Sequence, residues 1–217
     1  MMLHGVQFEI NGVKKHSLTD WGLWLNPVEI PFPEIKTSYT EIEGGHGSID
    51  LTESFGKVFY RNREFPITFT CRDKLKFDKT LSDIASFLHG RETKVTFYFD
   101  EEYYFLGRVS VDKYTSEKAT GTIELTCTFE PFKYKQEVTV ATDVVTTQKT
   151  VVYLCDRMEV CPTFKADAEM RFEFKGNSYT LAAGEAMFSD VEFTEGENTL
   201  IWHGNGTVTV SYQEGSL

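Results

Sequence analysis

The stretch EIEGGHGSIDLTE, residues 41–53, holds the residue types of an acyl-transfer site: a histidine among glycines, then a serine. Some hydrolases bind an oxyanion with such a loop, and they set the serine on a sharp strand-to-helix turn. Ser48 does not meet that requirement. It is followed by Ile49-Asp50-Leu51-Thr52, an extended alternation, and His46 stands too close to it along the chain to serve easily as its base. Gly44, Gly45 and Gly47 read instead as a structural turn whose glycines take positive φ.

The other candidates fare no better. His4, His16, His46, His89 and His203 show neither HExxH nor HxH spacing, so no metal site is expected. Asp100-Glu101-Glu102 is one contiguous hairpin tip, whereas paired glycosidase carboxylates converge from separate strands. Phe132-Lys133-Tyr134-Lys135 interleaves rings and bases as single-strand nucleic-acid binders do. Strand lysines whose stems lie along the surface produce the same letters. Trp202, in NTLIWHGNG, has a face on which a sugar could stack, and a core tryptophan is the competing reading. No catalytic, metal or cofactor set emerges, and the chain is expected not to be an enzyme.

Composition narrows the classes further. The 217 residues suit one large or two modest domains. A net charge of -11 argues against a protein that grips phosphate backbones and suits a surface that nucleic acid must pass without sticking. No apolar run reaches the ~18 residues of a membrane span, so no membrane insertion is expected. MMLHGVQFEING has neither a basic leader nor an apolar signal core, so export by the usual route is not expected. Cys71 and Cys127 continue strand alternations and should be buried thiols, while the state of Cys155 and Cys161 stays open.

The elements that would carry these residues are mostly strands. VQFEI (6–10) ends in the turn pair Asn11-Gly12. Residues 18–42 carry Pro27, Pro31 and Pro33, so they form an extended edge or arm. KVFYRN, FPITFTC, KVTFYFD, YYFLGRVSVDKYT and TGTIELTCTF alternate with period two, the last three as an antiparallel meander. Leu81, Ile84, Ala85 and Leu88 form the stripe of one short helix, opened by Thr80 with Asp83 and closed by Gly90. After EPFKYK the composition turns Val/Thr-rich, which sets a boundary near 135 between domains 1–135 and 136–217. The second domain reads as a β-sandwich of short strands, with hairpins at Lys175-Gly176-Asn177 and Gly204-Asn205-Gly206.

Four motifs, in order, resemble the distal tail protein of siphovirus-type bacteriophages. These are FEINGVKKHSLTDWGLWL; EIEGGHGSIDLTESFG with KVFYRNREFPITF; LSDIASFLHGRETKVTFYFDEEYYFLGRVSV; and CTFEPFKYK. The resemblance covers roughly residues 5–135, and later only the ending GENTL…GTVTVSY. Gly45 and His46 depart from that family's Pro-Gly-Arg-Asp turn.

The resemblance implies a mainly β protein with a β-barrel-like hub domain, one short helix and a galectin-like C-terminal β-sandwich. It further implies a homohexameric ring at the virion tail tip, made in the bacterial cytoplasm. Such a ring would hold the tail tube protein on one face and the tail-associated protein on the other, with receptor-binding or baseplate proteins nearby. Duplex DNA would meet it only as the passing genome. Trp21, Trp24, Leu25, Pro31 and Phe32 are the candidate ring-contact residues, since large apolar anchors carry interface energy. The alternatives are a carbohydrate-binding adsorption protein reading host glycans and, third, a tail-tube protein.

Overall fold

The computed structural model describes residues 2–217 and divides the chain into two compact units, Met1–Lys133 and Tyr134–Leu217. The first contains β1 (Val6–Ile10), β2 (Val13–His16), β3 (Leu23–Leu25), β4 (Tyr39–Glu41), β5 (Ser48–Asp50) and β6 (Arg63–Cys71). After them come α1 (Phe77–Leu88), β7 (Arg91–Phe97), β8 (Tyr103–Ser116) and β9 (Gly121–Lys135), whose last two residues fall in the second unit. One sheet takes the order β2-β1-β7-β8-β9-β6-β3, so β7, β8 and β9 form the expected meander. Asn11 and Gly12 both take positive φ (50° and 80°), the two-residue turn whose twist suits a hairpin.

The sheet curls because its inner face must enclose its own aromatics. Phe8 of β1 meets Phe69 of β6 at 6.2 Å between ring centroids, although three strands separate β1 from β6 in the sheet. Phe65, Phe97, Phe105 and Phe129 fill the same half barrel edge to face or tilted. Gly107, in the YYFLGRVSV motif, takes no positive φ. A Cβ there would overlap the Thr128 carbonyl and come within 2.6 Å of Phe129 Cα, so it lets β8 and β9 close up.

Helix α1 begins a turn earlier than its sequence signals suggest. Lys76 is the N-cap and makes no side-chain cap bond, while Thr80 lies inside the helix and is buried with Phe77, Ile84 and Leu88. Burial of Phe77 against the sheet outweighs the polar capping signal at Thr80. KVFYRN also differs: of these residues only Tyr60 pairs, through an isolated bridge to Ile35.

The second unit contains β10 (Thr139–Cys155), β11 (Thr163–Ala166), β12 (Met170–Phe174), β13 (Asn177–Leu181), β14 (Gly184–Met187) and β15 (Gly196–Tyr212). Gly204-Asn205-Gly206 does not make a hairpin: β15 runs straight through it, paired residue by residue with β10. Thr147 and Gly204 face one another in that ladder at φ 71° and 129°, and there the two-stranded ribbon folds over. One half of β15 then pairs with β11, the other with β12, so the ribbon feeds two layers. Phe164 of β11 and Phe172 of β12 stack between them at 4.8 Å, with Trp202 at 4.9 Å from Phe172. MFSDVEF contributes core residues Val191 and Phe193; its Met187 ends β14, opposite Thr163, and the rest pairs through the bridge Val160–Phe193.

Candidate protein–protein interface

The structure gives the GGHGS segment a plain geometry. β4 and β5 pair as a hairpin with Glu41 opposite Ser48, and Gly44 and Gly47 turn the loop between them at φ 74° and 78°. Ser48 begins an extended strand, with no helix after it. The hairpin is exposed on both strands.

Around it lies an arm. Pro27, Pro31 and Pro33 deny the segment after β3 a regular ladder, and the chain runs on extended. Arg61 N donates to Glu34 O at 2.7 Å, Lys36 N to Phe59 O at 2.8 Å and Leu51 N to Ser38 O at 2.8 Å. The arm is therefore a narrow ribbon of two segments of the chain with the β4–β5 hairpin at its tip. It carries large apolar side chains with nothing over them: Phe32 is 79% exposed and Phe55 84%, and Tyr39, Ile42, Ile49 and Leu51 are also exposed. Clustered apolar exposure of this kind marks an interaction surface.

The five candidate contact residues divide. Trp21 and Leu25 belong to the unit's own core, where Trp21 packs on Phe8 (5.7 Å) and Phe87 (5.9 Å). Their alternation with Leu23 points them inward, so neither is free to anchor a neighbour. Trp24, on the opposite face of β3, is 39% exposed beneath the Arg72 guanidinium at 4.6 Å. Pro31 and Phe32 lie exposed along the arm.

Reading the sequence missed Arg63. It starts β6 in phase with Phe65, Ile67, Phe69 and Cys71, and that phase puts it on the buried face, 4% exposed. Nε donates to Pro131 O at 2.6 Å, Nη1 to Pro31 O at 3.4 Å, and the guanidinium lies 5.5 Å from the Phe105 ring centroid. Nη2 has no partner. Burial lowers the pKa of this group from its ordinary value. A cleft of about 590 Å³ adjoins it, lined by Pro31, Phe32, Glu34, Lys36, Arg61, Asn62, Arg63 and Glu64.

The remaining candidates are committed elsewhere. Lys133 Nζ pairs with Asp100 at 2.6 Å and sits 4.4 Å from the Tyr103 ring centroid, and Lys135 Nζ pairs with Glu214 at 2.8 Å and Asp156 at 3.0 Å. Trp202 is fully buried, with Nε1 donating to the Tyr153 hydroxyl at 3.4 Å, so it offers no face to a sugar. All four cysteines are free thiols, Cys161 the least buried. Among the described residues no helix is long and apolar enough to cross a membrane, and no group of three or more His, Cys, Asp or Glu is placed to hold a metal.

No protein-family model matches the sequence, and no curated protein matches it either. A solved structure does. The chain is similar to the crystal structure of the SPP1 Dit (gp 19.1) protein, described as a paradigm of the hub adsorption apparatus in phages that infect Gram-positive bacteria. The TM-score is 0.71, over 98% of this chain and 99% of that one. The fold is that of a phage hub protein. At 14% identity the likeness is one of architecture, and this chain's part in it is a mainly β fold with one short helix among the described residues.

Proposed function

We propose that the chain is a structural component of a phage or prophage tail tip. It forms a ring hub, a homohexamer, that joins the tail tube to tail-associated and baseplate proteins and lets the genome through. The hub fold spanning the whole chain carries this reading, and the apolar arm supports it, because a ring needs a surface that each copy offers to the next. The role is structural rather than catalytic. The second unit serves as a galectin-like appendage, and its place is the virion tail tip.

Purified protein tests this directly. Light scattering on the eluting peak should give six copies, and negative-stain images should show rings with an open centre. A monomer at all concentrations overturns the reading. Duplex DNA should not be retained in a mobility-shift assay at physiological salt, because the chain carries a net charge of -11 and the FKYK lysines are ion-paired.

A further inference from the structure

Arg63 poses a physical problem that its own chain does not solve. A guanidinium that is 4% exposed has lost its hydration, yet its hydrogen bonds go only to two proline carbonyls and Nη2 has none. Among the described residues no carboxylate pairs with it, and buried arginines are ordinarily matched to a bidentate acid. The adjoining cleft adds two more cations. Arg61 is already held by Glu34 at 3.2 Å, and Lys36 has no ion-pair partner among the described residues.

The complementary surface lies on the same arm, at its other end. Residues 37–56 contain Glu41, Glu43, Asp50 and Glu53 and not one Lys or Arg. Glu41 and Glu43 are exposed and have no ion-pair partner among the described residues. A chain cannot bring its own tip to its own cleft. The cleft is lined by Glu34, Lys36 and Arg61, the residues that form the base of the ribbon, and Glu43 lies seven residues further out. Seven extended residues carry it roughly 23 Å away.

We infer that the cleft at the base of one arm receives the acidic tip of the arm of a second copy, with Glu41 or Glu43 supplying the carboxylate that Arg63 lacks. The incoming hairpin covers Phe32 and displaces the looser Pro31 contact at 3.4 Å, which opens Nη2 to the carboxylate. Tip and base are different patches, so the contact is head to tail. Contacts of that kind close into a ring when the rotation between copies closes, and the inference rests on the ring reading above.

The test uses the full chain. Glu41→Lys/Glu43→Lys alters two exposed residues and should leave the circular dichroism of the protein unchanged. It should weaken assembly at least about thirtyfold, read by sedimentation velocity over a concentration series. Arg63→Met, checked for native circular dichroism, should do the same. In addition, co-expressed chains carrying Phe32→Cys or Glu43→Cys under different tags should form a mixed disulfide on oxidation. Native rings together with undiminished assembly of Glu41→Lys/Glu43→Lys and no mixed disulfide would overturn the contact and leave the ring standing. A native chain that stays monomeric removes the ring reading, and this contact with it.

Discussion

Asp143 Oδ1 and Lys149 Nζ lie 3.0 Å apart although both belong to β10 and six positions separate them. In a straight strand that separation is about 20 Å. The ion pair is therefore a consequence of the corner at Thr147, where β10 and β15 bend together from one layer into the other. Asp143 also receives the Tyr153 hydroxyl at 3.5 Å, and that hydroxyl accepts Trp202 Nε1, so the corner is tied to the core tryptophan.

The corner is strained. Thr147 is β-branched and sits at φ 71°, a region such residues avoid at a cost of about 1–2 kcal/mol. Its side chain is exposed, and what the corner uses is its N–H, donated to Asn205 Oδ1 at 3.1 Å. Thr147→Asn keeps that N–H and tolerates the conformation. It should stabilise the chain by about 0.5–1 kcal/mol, measured as a higher urea midpoint at unchanged m-value. A lower midpoint would show that the threonine side chain contributes more than the strain removes.

Gly107→Ala tests the close approach of β8 and β9. The methyl would meet the backbone of Thr128 and Phe129, neither of which can rotate away. Destabilisation of about 3 kcal/mol or more is expected, seen as a large drop in melting temperature or as insoluble protein. An alanine variant melting within a degree of the native chain would disprove the close-packing role.

Alkaline pH should unfold the protein in a defined window. Burial, then Glu214 and Asp156, pushes Cys155 from 9.0 up to about 11. Burial and Glu214 push Tyr212 from 10.0 up to about 12, and burial alone pushes Cys127 from 9.0 to about 12. Each raised value means that the folded state holds its proton more tightly. The stabilisation is thus complete below the unfolded values and is lost as pH rises through the folded ones. Urea midpoints should stay level up to about pH 8.5 and fall between about pH 9 and 12. Cys127→Ala/Cys155→Ala should flatten that fall, and a native midpoint unchanged at pH 11 would refute the linkage.

Much of this architecture was legible because period-two alternation reports which face is buried. β1 with its Asn11-Gly12 turn, the β7-β8-β9 meander and the buried Cys71 and Cys127 all follow from it. What was not legible depends on which neighbour comes close. Gly204 looked like a turn residue; it stays in the ladder, where a Cβ would meet Met170 Sδ at 2.8 Å. Trp21 looked like an anchor for another chain, yet the curled sheet folds Phe8 and Phe87 onto it. Arg63 did carry a usable signal, its phase with Phe65 and Ile67, hidden because an arginine at a strand end reads as solvated.

Assembly and appendage should separate at the end of β9. The first unit holds a core built around Phe8, Phe65, Phe69 and Phe129, and the second has its own, built around Phe164, Phe172, Phe193 and Trp202. Each core is drawn from within one unit, so each part should fold alone. The arm, with Trp24, Pro31, Phe32 and the β4–β5 hairpin, belongs wholly to the first. A fragment of residues 1–135 should therefore still give ring-sized particles in light scattering, while 134–217 should elute as a folded monomer. A fragment starting near Gly22 loses β1, β2 and Trp21, and with them one side of the half barrel; it should aggregate or stay small. The second unit is not featureless outside, since Val140, Val144, Val152 and Leu154 are exposed along β10, a strand that among the described residues pairs with β15 alone. If 134–217 forms the oligomer and 1–135 runs as a monomer, that edge and not the arm is the assembly surface, and the roles assigned to the two units are reversed.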